Sequence, residues 1–219
     1  MKNIPALDPK VLGLVTEISK EPKVEAAIAF IKDQTEVAML EQIELCEIEA
    51  PTFHEEKRAA SVAERMRQYG LTDVHIDEIG NVIGIRKGSG NGPVLAIGAH
   101  MDSVFPAGTD VKVKKEGNIY RAPGIGDNCS GLRALLQVLR ALEKEDIRTV
   151  GDIWFVGTVG EEGNGDIRGS KHLCANNKLD GFVAIDSTDV GRVLYGAVGS
   201  HRWSLAVDGT GGHSFADFG

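Results

Sequence analysis

Three short apolar runs constrain this chain most: VLAIGA at 94–99, IWFVGTV at 153–159 and FVAI at 182–185. Each has the length of one buried strand, far below a membrane span, and each leads into a polar or glycine-rich loop. Between the first two lies a helical stretch from about Cys129 to Glu145, where Leu132, Leu135, Leu136, Leu139 and Leu142 share a face. Between the last two lies a short helical segment, RGSKHLCAN at 168–176. Buried strands alternating with helices read as an α/β fold: a three-layer sandwich with a mixed, mostly parallel sheet and helices on both faces. In such sheets reactive groups gather beyond the carboxyl ends of the strands.

The first third reads helical. From Pro22 to about Cys46, Val24, Ala27, Ile28, Ile31, Val37, Met39, Leu40 and Ile43 fall mostly on one face. Pro51 ends that run, and Thr52 with Glu55 has the spacing of a capping box for a helix over about His54 to Tyr69, closed by Gly70. DVHIDE and NVIGIRK then alternate as strands, and GSGNGP turns the chain into VLAIGA. A hairpin is expected near Val111–Lys114 and Asn118–Arg121, across Glu116-Gly117. Two further strands are expected in RVLYGAVG and HRWSLAVDGTGGHS.

Lys and Arg number 24 against 32 Asp and Glu, a net charge of −8, which argues against nucleic acid or an anionic membrane as partner. The three cysteines, Cys46, Cys129 and Cys174, form no disulfide or zinc-finger spacing, and the N-terminus has no apolar signal core. A reducing cytoplasm is the simple reading.

The strand ends carry the chemistry. His100 and Asp102 follow the first run, Glu161 and Glu162 the second, and Asp186 the third; Asp127 sits in a glycine-flanked loop before the long helix. Carboxylates gathered in one cleft need cations between them. A mixed imidazole and carboxylate set suits Zn, Mn or Co better than a thiolate-based structural site does. Asp102 is spaced to accept the second N–H of His100 and orient it. On extended backbone Glu161 and Glu162 point opposite ways, so the neighbouring acids can serve different tasks. The bland readings are a structural His100, Asp127 as a helix N-cap, Asp186 as a turn residue and a solvated acidic pair.

HMDSV, PGIGDNCSG, GTVGEEGNGD, AIDS and the terminal GGHS, in this order and spacing, resemble the co-catalytic zinc metallopeptidase family of peptidase T, glutamate carboxypeptidase, aminoacylase and acetylornithine deacetylase. The resemblance runs from about Pro51 to the end. It implies two divalent ions, zinc before manganese or cobalt, with His100, Asp127 and Asp186 on one, and Asp127 bridging to a second held also by Glu162. It implies Glu161 as general base, Asp102 as the group orienting His100, and His213 as a lid histidine that reaches a substrate carbonyl in a neighbouring subunit. The expected activity is hydrolysis of a peptide or N-acyl amide bond by a water shared between the metals. A peptidase T-like aminopeptidase is preferred; an N-acyl amino acid deacylase and a non-catalytic metal- or peptide-binding fragment are the alternatives.

The resemblance also implies a domain order: residues 1–198 as the catalytic domain, lacking a returning C-terminal segment, and 199–219 as the start of a small α+β lid through which a homodimer forms. That segment would supply one more histidine ligand. None of His54, His75, His172 or His201 matches it, so the isolated chain is expected to have weak or no activity. Two other chemistries are disfavoured. GDNCSGLR has P-loop glycine spacing but lacks the Lys-Ser/Thr pair. Cys129, at a helix start, has no nameable histidine partner and reads as a core cysteine.

Overall fold

In chain order the computed structural model comprises α1 (Pro9–Ile18), α2 (Pro22–Asp33), α3 (Thr35–Cys46), α4 (Glu56–Gln68), β1 (Asp73–Ile76), β2 (Val82–Arg86), β3 (Leu95–His100), β4 (Lys114–Glu116), β5 (Ile119–Arg121), α5 (Cys129–Lys144), β6 (Ile153–Thr158), α6 (Arg168–Asn176) and β7 (Gly181–Ala184). It describes residues 8–186, 191–213 and 215–216. Ser187 and Ser214, the last residues of the AIDS and GGHS motifs, lie outside them. The chain divides into two units, Met1–Thr188 and Asp189–Gly219.

One five-stranded sheet, in the order β1-β2-β6-β3-β7, organises the first unit. β3 runs parallel to β6 and β7, and β2 runs antiparallel to β1 and β6. Four strands therefore point one way and β2 alone opposes them. Alternation along each strand splits the apolar residues between two faces. Val82, Ala99, Ile153 and Phe155 meet α3, α4 and α5 through Leu45, Val62, Met66, Leu132, Leu135, Leu136 and Leu139. Ile83, Ala96 and Val156 meet Leu173 of α6 on the other face. The three-layer α/β architecture is present. β4 and β5 form a separate hairpin, shorter than the sequence suggests, turning at Gly117 with φ +61.

Several local expectations are overturned. The single helix over Pro22–Cys46 is two, broken at Gln34, where the Thr35 hydroxyl bonds back to the Lys32 carbonyl. The face that α3 buries is Ala38, Glu41, Gln42, Leu45 and Cys46, while Val37 and Leu40 are exposed. Partners decide this: Glu41 accepts from Tyr69 Oη and Gln137 Nε2, and Gln42 Nε2 donates to the Ile125 carbonyl, so two polar residues are tolerated in the helix seam. Among the described residues β7 is an edge strand paired only with β3, and it is not buried: Val183 is exposed. No strand forms among the described residues of 191–213, where Val193, Tyr195, Trp203, Leu205 and Val207 are all exposed. A strand needs a ladder partner, and alternation alone does not supply one.

Arg58 of α4 is 1% exposed. Its guanidinium donates to the carbonyls of Leu45, Ile48 and Met101 at 3.0, 2.5 and 2.7 Å, tying the end of α3 to the loop after β3. Arg58→Ala removes the guanidinium donor from the Ile48 and Met101 carbonyls and leaves the Leu45 carbonyl with only the Ile48 amide at 3.3 Å. We expect a loss of about 3 kcal/mol or more, read as a lower urea midpoint at unchanged slope.

Candidate metal centre

His100 closes β3 with its side chain 2% exposed. Nδ1 lies 3.1 Å from the Asp102 carbonyl and 3.5 Å from Asp102 Oδ1. Nε2 lies 2.9 Å from Asp127 Oδ1 and 3.9 Å from Asp186 Oδ1. Asp102 is fully buried and binds on three sides. Oδ1 accepts the Glu161 amide at 2.9 Å, and Oδ2 accepts the Glu162 amide at 3.0 Å and the Thr52 hydroxyl at 2.9 Å. One carboxylate thus faces both the imidazole and the acidic loop.

The loops of β3, β6 and β7 and the start of α5 bring the other acids in. Asn128 caps α5 by accepting the Gly131 amide, so Asp127 is not the N-cap and its carboxylate stays outside the helix, 64% exposed. Two triads place ligand atoms within 4.8 Å of one another: His100, Glu161 and Asp186, and His100, Asp127 and Glu162. Glu162 is extended, with φ −78 and ψ 147, and the two glutamates fall in different triads. Both triads share His100, whereas the sequence reading shares Asp127 between two ions. A graded cup results: His100 and Asp102 buried, Glu161 and Glu162 half-buried, Asp127 and Asp186 exposed.

The electrostatics follow from the crowding of acids. Burial pulls the His100 imidazolium down, but its hydrogen bond to Asp102 and the charges of Asp102, Asp186 and Glu161 outweigh that and push it up to about 9. Burial pushes the Asp102 carboxyl up, but hydrogen bonds from His100, the Glu161 and Glu162 amides and Thr52 bring it down to about 2. Glu161 is raised by burial and then by Asp186, Asp102 and Asp127. Glu162 is raised by burial and by Asp127. Without a metal ion, the protonated imidazole supplies positive charge to this cluster.

The donor chemistry fits a divalent ion: one imidazole nitrogen and carboxylate oxygens, no thiolate, with the imidazole oriented by a second carboxylate. His213 lies in the second unit, where its Nδ1 accepts the Phe215 amide at 3.2 Å. His172 sits on α6 against Glu78. Cys129 is 0% exposed, a core cysteine as its sequence context suggests.

Sequence reasoning missed the roles of four residues around the cluster. Thr52 and Glu55 make no capping box: α4 starts at Glu56 without a side-chain cap. Thr52 turns to Asp102, and Glu55 turns to the Gly160 amide and Arg168. Asn81 accepts the Val159 amide. The spacing rule found Thr52 and Glu55 but assigned them to a local task. Gly160, at φ +60, has a plain reason to be glycine: a Cβ there would stand 2.5 Å from the Arg168 side chain.

The mixed sheet brings an imidazole and several acids together at its strand ends, and the chain is similar to known peptidases and hydrolases. Residues 96–200 match the model of Peptidase family M20/M25/M40. Aminopeptidase PepT from Bacillus cereus is similar in structure, with TM-score 0.59 and 25% identity, over 69% of this chain and 43% of that one. A tripeptidase from Staphylococcus aureus gives TM-score 0.58 and 31% identity, over 70% and 44%. A putative [LysW]-lysine/[LysW]-ornithine hydrolase of Pyrococcus abyssi is 35% identical over 120 residues, 55% of this chain and 32% of the relative. The chain thus spans about a third of that curated relative and under half of the two solved structures.

Proposed function

We propose that this chain carries the metal centre of a metal-dependent exopeptidase, similar to aminopeptidases of the peptidase T kind. The observation that carries the reading is the convergence of His100 with Asp127, Glu161, Glu162 and Asp186 within 4.8 Å in two triads. His100, Asp127, Glu162 and Asp186 hold the ions, two in number and zinc before manganese or cobalt. A divalent ion held there would polarise the scissile carbonyl and acidify the attacking water. Glu161, raised by its buried setting, takes the proton from that water and passes it to the leaving nitrogen. Asp102 holds His100 through Nδ1 and the Glu161 backbone through Oδ1, so imidazole and base share one reference point. His213 is assigned to the substrate carbonyl, across a homodimer formed by a lid beginning near residue 199. The free thiols of Cys46, Cys129 and Cys174 are compatible with a cytoplasmic setting.

The Pyrococcus relative favours a second reading, in which the same residues hydrolyse a bond to lysine or ornithine. The test is a substrate panel of di- and tripeptides, N-acyl amino acids and peptides ending in lysine or ornithine, with added Zn²⁺, Mn²⁺ or Co²⁺. We expect weak cleavage that a chelator abolishes and metal restores, strongest on short peptides with a free amino end. Cleavage that survives chelation would remove the metal reading. Preference for an acylated or lysine-terminal substrate would move the assignment to the second reading.

A further inference from the structure

Four consecutive backbone amides after β6 are each accepted by a side chain from elsewhere in the fold. Val159 donates to Asn81 Oδ1 at 3.1 Å, Gly160 to Glu55 Oε1 at 2.9 Å, Glu161 to Asp102 Oδ1 at 2.9 Å and Glu162 to Asp102 Oδ2 at 3.0 Å. A loop rarely has its own hydrogen bonds supplied in this way, residue after residue. Asp102 belongs to the cluster already described. Glu55 does not: it is 4% exposed and lies just before α4, and the proposed reaction gives it no task.

Its countercharge is specific. Arg168, the first residue of α6, places one terminal nitrogen 2.9 Å from each oxygen of Glu55, and the other donates to the Ile79 carbonyl at 3.0 Å. The Phe53 ring lies 5.1 Å from that guanidinium, covering it. The Arg168 amide in turn donates to the Gly160 carbonyl at 3.1 Å. Gly160 is therefore held on its N–H by Glu55 and on its C=O by Arg168, and those two residues are paired with each other. Both backbone polar groups of one residue are fixed immediately before the two glutamates.

We infer that Glu55 and Arg168 are a positioning pair, whose part-buried ion pair sets where the Glu161–Glu162 backbone, and hence the base and one ligand, stand relative to His100. This rests on the function proposed above for Glu161 and Glu162. Neither residue touches the cluster through its own side chain. The pair acts through the backbone at Gly160, and its charge makes that bond stronger than a neutral one.

The test uses Glu55→Gln, Arg168→Lys and the double variant Glu55→Gln/Arg168→Gln in the full chain. Amide hydrogen exchange without metal is read first. Glu55→Gln is expected to speed exchange at Gly160 by about tenfold, the loss of a charge-assisted hydrogen bond. Smaller increases are expected at Glu161 and Glu162, with Val159 and the α5 core unchanged. The double variant, which leaves no unpaired charge, recovers part of the protection. With metal and a cleaved peptide, kcat is expected to fall about tenfold while KM and metal content hold. Exchange at 160–162 that stays at the wild-type rate in both single variants overturns the inference. A loosened loop with unchanged kcat, or a lowered melting temperature with uniform exchange, does the same. If the wild-type protein cleaves nothing in the panel, the proposed function fails by itself, and the exchange pattern alone decides the clamp.

Discussion

Glu161→Gln is expected to lower the hydrolytic rate by roughly 10³-fold, within the range that a positioned acid–base group contributes, while the protein keeps its metal. The carboxamide is isosteric with the carboxylate it replaces. The bond from this position to Asp102 Oδ1 is made by the backbone N–H, so the substitution leaves it in place. The loop should therefore stay put, and so should His100, Asp127, Glu162 and Asp186. The carboxamide cannot accept the proton. The measurement pairs kcat with metal content by atomic absorption. A rate that survives the change would remove Glu161 from the chemistry and return the acidic pair to a binding role. Metal lost along with rate would place Glu161 among the ligands, as the triad with His100 and Asp186 would also allow.

Metal affinity is expected to rise about tenfold per pH unit from about 7 to about 9, roughly 100-fold in all, because a ligand must shed its proton first. The metal-free imidazole of His100 is pushed up to about 9, so it is protonated at neutral pH, and a bound ion displaces that proton. Above about 9 the dependence should flatten. Calorimetry near neutral pH, in two buffers of different ionisation enthalpy, should report about one proton released on binding the ion that His100 holds. No proton release would mean that His100 is not a ligand. The same shift has a signed consequence for the metal-free fold. The folded value lies above the ordinary 6.5, so the stabilisation is complete below 6.5 and fades as pH rises through about 9. Metal-free protein should thus melt at a lower temperature above pH 9 than at pH 6.5, and added metal should reverse the trend.

Most of the sheet was legible because its strands are apolar runs of strand length between turn residues. VLAIGA, IWFVGT and GFVA become β3, β6 and β7, and RGSKHLCAN is α6 to the residue. The acids of the cluster were legible for a related reason, since most of them follow a strand. The α3 seam was not, because the burial of its polar residues depends on partners far along the chain, as when Gln137 reaches Glu41 and Arg140 reaches Gln34 at the helix break. A hydrophobic count prefers Leu40, but the fold buries Glu41.

Local order along the chain therefore determined which segments are strands and helices and which residues stand at strand ends, because periodicity and side-chain type act over a few residues. Only the tertiary structure decided what those residues face. Thr52 and Glu55 are spaced to cap a helix, yet an aspartate 50 residues on and an amide 105 residues on claim them. His100 owes its charge to acids from its own loop and from two others. Hydrogen-bond choice and electrostatic potential are set by distance in space, and sequence spacing does not report that distance.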